Sequence, residues 1–476
     1  MRKRESWMPS SKLRRIDLSQ NDATRKLNQL KNQGNIFSSV VTAAGKKLTK
    51  AVFGKALTPA EVVTTICEDI RVKGIDRVLY YTEQLDKQKL TTRTIRVTSE
   101  ELRNAYQKTD PQFLETISRV RDNIMQFQIG LLNKDALLPA AEQYELQLRY
   151  RPMKRVGLCI PGGAAAYPST LLMTVCPAQA AEVNEIAVVM PPTPNGAYNQ
   201  DMLAVCHALG ITEVYRIGGA QAVAALAYGV EGIPQVDMIA GPGNAFVTLA
   251  KKHVFGRVAI DCLAGPSEVV VVADETAHVG HLAIDLLAQA EHHPGIPILI
   301  TWEESILNSV EKEIEILVNS LERGEEAWKN IEENGAFILA QNVDEAVNCV
   351  NFLAPEHLHI QTRKPNPEHF ADRIDNAGAI FLGEYTPVAL GDYAAGPSHV
   401  LPTGGTARFA SGLNANDFRR RTSVVHFFRM GLRHIAEDVM LLARKEGLTA
   451  HARSVEMRLQ DYAPATKPGK RKAKTK

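Results

Sequence analysis

The sequence predicts an α/β protein with two open parallel-sheet, incomplete Rossmann-like domains plus a small helical C-terminal unit. Three observations predict it. From Arg155 onward, short apolar strands alternate with amphipathic helices, which is the pattern of a parallel sheet covered by helices on its faces. The alternation runs in two series, one from Arg155 to Val254 and one from Glu268 to Phe352. Beyond about Phe409 the strand signals give way to helical spacing.

The elements follow in chain order. Residues 1–30 are polar and read as a short arm with some helix. Apolar residues at helical spacing predict helices over 61–72 and 113–127, and 94–97 is a lone strand signal between them. In the first series, strands fall at 156–160, 185–190, 213–217 and 238–240. Helices follow them at 169–181, 199–209, 220–228 and 244–254. In the second series, strands fall at 268–273, 298–301, 336–339 and 358–360. Their helices are 278–292, 306–321 and 343–352. The closing helices are 416–421, 432–446 and 451–459. The predicted division is an N-terminal arm over 1–30, a discontinuous first α/β domain over 31–155 with 266–405, a second α/β domain over 156–265, a helical unit over 406–460 and a basic tail over 461–476.

At 476 residues the chain is too long for one simple core. Hydrophobic residues make up 45% and charged residues 23%, the balance of a water-soluble globular protein. A net charge of +2 gives no global field for nucleic acid or membrane. Basic residues crowd both ends, and six of residues 467–476 are Lys or Arg. Such runs bury too little surface to fold and read as solvated tails. Six cysteines with no CxxC pair fit a reducing compartment rather than a disulfide scaffold. No apolar run reaches membrane-spanning length, and the start lacks an apolar signal core, so the cytoplasm is the expected location.

Three strand ends carry glycine turns: Pro161-Gly162-Gly163, Gly218-Gly219-Ala220-Gln221 and Gly241-Pro242-Gly243-Asn244. Each hands a strand to a helix, where free N–H groups can meet a phosphate. None is the GxGxxG fingerprint, so they predict a crevice without naming its ligand. Gln289 and His292 stand three apart at a helix end, a spacing that suits two ligands on one ion and equally an ordinary cap. In Ala354-Pro355-Glu356-His357, the proline bends the chain and sets an acid/base pair at a loop-to-strand edge. The loop from Gly391 to His399 carries Asp392 and His399, and Glu446 and His451 flank a break at Gly447. His292, Asp392 and His451 together make a borderline metal such as zinc possible, with no cysteine cluster to help.

Several longer stretches are recognisable as well. RVGLCIPGG, IGGAQAVAALAYG, AGPGNAFVTLAKK, LAGPSEVVVVAD, DLLAQAEH, APEHL, GDYAAGPSHVLPTGGTARF and EGLTAHARSV occur in the order of the histidinol dehydrogenase family. The resemblance runs from about residue 60 to 460. It implies a zinc-dependent, NAD-linked oxidation of L-histidinol through the aldehyde to L-histidine. By that resemblance Gln289, His292, Asp392 and His451 hold one zinc ion per subunit, and Glu356 and His357 are the catalytic acid/base pair. Ser267, Ser169, His399 and Glu446 contact substrate together with His357 and the metal ligands, while Gln221 and Asn244 contact NAD. The resemblance also implies a homodimer whose C-terminal unit crosses into the partner's site, with no nucleic-acid or membrane partner. The chain departs from the family pattern where Cys159 replaces a Tyr that touches NAD, Ser398 an Asn, Val388 a Glu, and Gln128 a His. These departures make another polar alcohol, such as a sulfonated diol, the alternative substrate.

Overall fold

The computed structural model describes residues 13–33, 43–141, 143–163, 165–292 and 294–460. The basic tail over 461–476 and the first twelve residues lie outside the described residues. The strands are β1 (Arg15–Asp17), β2 (Ala136–Ala140), β3 (Tyr144–Pro152), β4 (Arg155–Cys159), β5 (Glu185–Met190), β6 (Glu213–Arg216), β7 (Met238–Ala240), β8 (Ala259–Ile260), β9 (Ser267–Ala273), β10 (Gly295–Thr301), β11 (Ala336–Leu339), β12 (His357–Gln361), β13 (Ala379–Leu382) and β14 (Arg419–Phe427). None of the described helices is long and apolar enough to cross a membrane.

The two predicted open parallel sheets are present. One has five strands in the order β6-β5-β4-β7-β8, and the other has six in the order β1-β11-β10-β9-β12-β13. All recorded pairings within both are parallel. Apart from β1, both sheets run third, second, first, fourth, fifth in chain order. That is the doubly wound arrangement, whose order reverses beside the first strand. The reversal falls between β4 and β7 in one sheet and between β9 and β12 in the other. Buried strands such as Val269-Val270-Val271-Val272 are apolar on both faces because helices cover both sides.

Contacts divide the chain into two compact units. The first, residues 1–132 with 152–419, holds both parallel sheets. The second, residues 133–151 with 420–476, holds most of a three-stranded sheet ordered β14-β3-β2 and the helices Arg429–Lys445 and Thr449–Leu459. β2 and β3 pair antiparallel.

Three expected elements differ. Residues 15–17, expected in a polar arm, form edge strand β1 beside β11, because Leu13 and Ile16 are buried. Residues 94–97 make no strand; a single antiparallel bridge joins Arg96 to Tyr215. The helix expected over 416–421 is instead a 3₁₀ turn, Ala415–Phe418, running into β14. Thr422, Val424 and Val425 within β14 are β-branched and prefer the pleated conformation, so the C-terminal unit is not purely helical.

Candidate functional site

A cavity of about 720 Å³ lies within the first unit, and residues from both parallel sheets line it. The five-stranded sheet contributes the carboxyl ends of its strands: Cys159 closes β4, and glycine turns follow β4, β6 and β7. The six-stranded sheet contributes the opposite edge. Ser267 opens β9 and His357 opens β12.

All three predicted glycine turns reach this cavity. Each precedes a helix: Pro168–Ala180, Gly219–Tyr228 and Ala245–Val254. The first two start without a side-chain cap. At Gly219–Tyr228 the first N–H groups are therefore left for an acceptor in the cavity, whereas at Pro168–Ala180 the proline has no N–H and Thr170 N–H donates to the Tyr167 carbonyl at 3.1 Å. The third helix is capped instead: the Asn244 side-chain Oδ1 accepts from Phe246 and Val247 N–H at 3.0 and 3.2 Å. Gly241 has φ +105°, and a Cβ there would stand 2.2 Å from the Cys159 carbonyl oxygen, so the close approach of this turn to β4 requires glycine. Gln221, almost fully buried, donates to Asp86 Oδ2 at 2.9 Å. Asp86 also lines the cavity, and burial pushes its carboxyl up to about 6. Cys159 forms part of the wall; its thiol is buried and pushed up to about 12, which makes it an inert surface rather than a nucleophile.

At the other edge, Ala354 adopts the left-handed conformation at φ +52° and caps the helix Val343–Leu353. Pro355 prevents the helix from continuing, and the chain delivers Glu356 and His357 to the start of β12. Both are buried. Glu356 Oε2 accepts from Ser267 Oγ at 2.7 Å and from Glu268 N–H at 2.8 Å. Burial pushes its carboxyl up to about 8, with the Asp392 charge adding to the effect. His357 Nδ1 lies 3.1 Å from the Glu268 carbonyl oxygen, which fixes Nδ1 as the N–H donor and leaves Nε2 as a free acceptor. That Nε2 is 3.7 Å from Asp392 Oδ1. Burial pulls the His357 ring below the ordinary imidazole range, so it is a neutral base at pH 7.

The Gly391–His399 loop is fixed from several sides. His399 Nδ1 is 2.9 Å from the Asp392 carbonyl oxygen, and its Nε2 is 3.2 Å from Thr170 Oγ1. Gln128 is fully buried; its amide donates to Gly396 O at 3.2 Å and accepts from Ala415 N at 2.9 Å. Ser398 donates to Met173 O at 2.8 Å, and Val388 is buried against the core of the six-stranded sheet. Three of the four departures from the family pattern are thus buried supports that do not line the cavity. Only Cys159 does.

His292 and Asp392 line the same cavity, and Gln289 is buried one turn back, at the end of helix Val279–Ala290. Its amide nitrogen has no hydrogen-bond partner. Among the described residues, no three His, Cys, Asp or Glu side chains are gathered closely enough to hold a metal. The oxygen and nitrogen donors of Gln289, His292 and Asp392 suit zinc as a partial set, and loss of solvation around the His292 ring pulls it below the ordinary imidazole range, toward the unprotonated form a ligand needs. Ser169, in the first turn of its helix, also faces the cavity. Glu446 and His451 belong to the second unit and are exposed, the first capping helix Arg429–Lys445 and the second in the first turn of Thr449–Leu459.

The sequence reading passed over Asp86, Lys251, Asp261 and Glu268. Lys251 carried a signal. It falls on the apolar stripe of Val247 and Val254, where a lysine needs a buried partner.

Comparison with known proteins points to a single family. The family model described as histidinol dehydrogenase matches residues 55–459. A relative named histidinol dehydrogenase from Rhodopirellula baltica is 55% identical over 444 residues, covering 93% of this chain and 96% of the relative. A second of that name, from Heliobacterium mobile, is 43% identical and covers 85% of this chain and 96% of its own. The crystal structure of histidinol dehydrogenase from Elizabethkingia anophelis superposes with a TM-score of 0.83 at 32% identity, covering 94% of this chain and 98% of that one.

Proposed function

The chain belongs to the histidinol dehydrogenase family, and on that premise we propose that it oxidises L-histidinol through L-histidinal to L-histidine, passing two hydrides in turn to two molecules of NAD. One observation carries the reading. A buried carboxyl pushed up to about 8 and a buried neutral imidazole stand side by side in a cavity that three glycine turns also enter.

The residues divide the work. NAD supplies the hydride acceptor. Its pyrophosphate would be held where the glycine turns enter the cavity, chiefly by the uncapped start of Gly219–Tyr228, with Gln221, Asn244 and the Cys159 wall beside it. His357 takes the hydroxyl proton at Nε2 as the carbinol carbon gives up its hydride. Glu356 then takes a proton from water, whose oxygen adds to the aldehyde carbon, and the hydrated aldehyde gives up the second hydride. Zinc would be held by Gln289, His292 and Asp392 with His451 of the partner subunit, and when bound it supplies a Lewis acid that fixes the amino alcohol through its nitrogen atoms. Ser267, Ser169, His399 and the partner's Glu446 orient the substrate.

A homodimer is supported by the second unit's exposed apolar residues, among them Leu137, Leu138, Val425 and Leu442, each more than half exposed. Six free buried cysteines suit the reducing cytoplasm. Val388 and Ser398 do not line the cavity, which removes two of the reasons for considering a sulfonated diol.

The test is NADH release from a panel of alcohols with zinc-loaded protein. Two NADH per L-histidinol are expected. No turnover of histidinol, or turnover of a sulfonated diol alone, overturns the reading.

A further inference from the structure

Glu268 does not line the cavity, yet three of its polar groups address the pair that does. Its Oε1 accepts from Glu356 N–H at 3.2 Å. Its own N–H donates to Glu356 Oε2 at 2.8 Å, and its carbonyl oxygen meets His357 Nδ1 at 3.1 Å. The same Oε1 accepts from Gly404 N–H at 3.1 Å, which ties in the loop that follows the Asp392 segment. Register explains the arrangement. β9 and β12 are parallel neighbours at the point where the strand order reverses, with His357 opposite Val269. The first residues of both strands therefore meet at one edge.

A buried carboxyl is costly unless something uses it. Here a second carboxyl, Glu356, lies beside it in the same dry region, and burial together with that neighbour pushes Glu268 up to about 8. Two adjacent carboxyls share protons rather than both ionise. Below that range Glu268 is a neutral acid, so it acts as a hydrogen-bond acceptor more than as a charge. The other charged or titratable groups facing the pair are His357 on the same strand, Asp392, Cys262 and Lys31 from the helix Ala23–Gln33.

We infer that Glu268 is a positioning residue whose carboxyl fixes the backbone of Glu356, and through it the aim of Glu356 and His357, by accepting hydrogen bonds from two segments of the chain, the residue before β12 and the Gly404 loop. The inference rests on the reading of Glu356 as the base.

Two isosteric variants test it, each assayed with histidinol for the first step and histidinal for the second. Glu268→Gln keeps the acceptor and removes the ionisable group; both steps should stay within about twofold of the parent. Glu268→Met keeps the volume and removes the acceptor. It should lower kcat of both steps by about tenfold or more, the scale of a misplaced catalytic group. KM for NAD should be unchanged, because the cofactor wall stands on the other sheet. A Met variant as active as the parent overturns the inference, and so does a Gln variant as damaged as the Met variant. If the Met variant does not fold, the Gln variant decides alone: a tenfold loss there is fatal. Glu356→Gln is run alongside. If it oxidises histidinal normally, the base assignment has failed. If it is impaired while Glu268→Met is not, only the positioning role has failed.

Discussion

Lys251 and Asp261 hold one residue, Gly241, from its two sides. The Lys251 ammonium donates to the Gly241 carbonyl at 3.0 Å, Gly241 N–H donates to Asp261 Oδ2 at 2.7 Å, and the two side chains form an ion pair with each other. Both are almost completely buried. Burial alone would strip the proton from Lys251, but the Asp261 carboxylate beside it outweighs that and holds the ammonium charged. The pair therefore fixes the glycine turn that enters the cavity after β7.

Replacing one partner should cost more than replacing both. Lys251→Met leaves the Asp261 carboxylate buried without a counter-charge, and a loss of about 3–5 kcal/mol in urea unfolding is expected. The double variant Lys251→Met with Asp261→Asn should recover a large part of that loss, yet still show a raised KM for NAD because the turn is no longer clamped. If the single variant unfolds at the parent's urea midpoint, the pair has no structural role.

Glu356→Gln separates the two oxidations. On the proposed roles, the first needs only His357 as base, while the second needs water activated by the Glu356 carboxylate. Histidinal oxidation should fall by about 10²-fold or more, the usual reach of general-base catalysis, with a smaller effect on histidinol oxidation. Single-turnover NADH bursts with each substrate measure this directly. Equal losses in both steps would remove the water-activating role.

Asp86 gives a pH signature of stability. Its folded-state carboxyl is pushed up to about 6, above the 3.8 of an unperturbed Asp. Between those values the folded chain holds a proton that the unfolded chain has released, so this group's contribution falls as pH rises from about 4 to 6 and is flat above. Asp86→Asn keeps an acceptor for Gln221 and removes the penalty. Relative to the parent, it should gain about 2–3 kcal/mol on going from pH 4 to pH 7. Thermal melts at both values check it, and a gain that does not change with pH rules out burial of this carboxyl as the cause.

Much of this was legible in the sequence, for physical reasons. Buried parallel strands such as 268–273 are apolar throughout, and glycine turns at strand ends mark where a backbone must bend sharply, so both sheets and the cavity edge could be read. β1 could not, because three residues make no periodic pattern and their pairing with β11 is set more than 300 positions away. β14 was misread because its β-branched centre is short and flanked by arginines. Glu356 and His357 stood out through Pro355. Glu268 did not: a Glu opening a Val-rich strand looks like a solvated end, and only the parallel pairing with β12 reveals that it is buried beside another carboxyl. Asp261 was invisible for the same reason, its partner lying one helix away.

His292, Asp392 and His357 lie in the first unit, and His451 in the second. If the partner's His451 completes each site, His357→Ala and His451→Ala should each be inactive alone, because both sites of either homodimer are damaged. Co-expression changes the arithmetic. In a mixed dimer one site receives both lesions and the other receives neither. Random pairing makes half the dimers mixed, each with one intact site of two, so activity should return to about one quarter of the parent's. Mixing purified homodimers should do nothing until the subunits exchange. If His451 instead served its own chain, every site in the mixture would carry one lesion and activity would stay at zero, so NADH production by the co-expressed pair decides between the two arrangements.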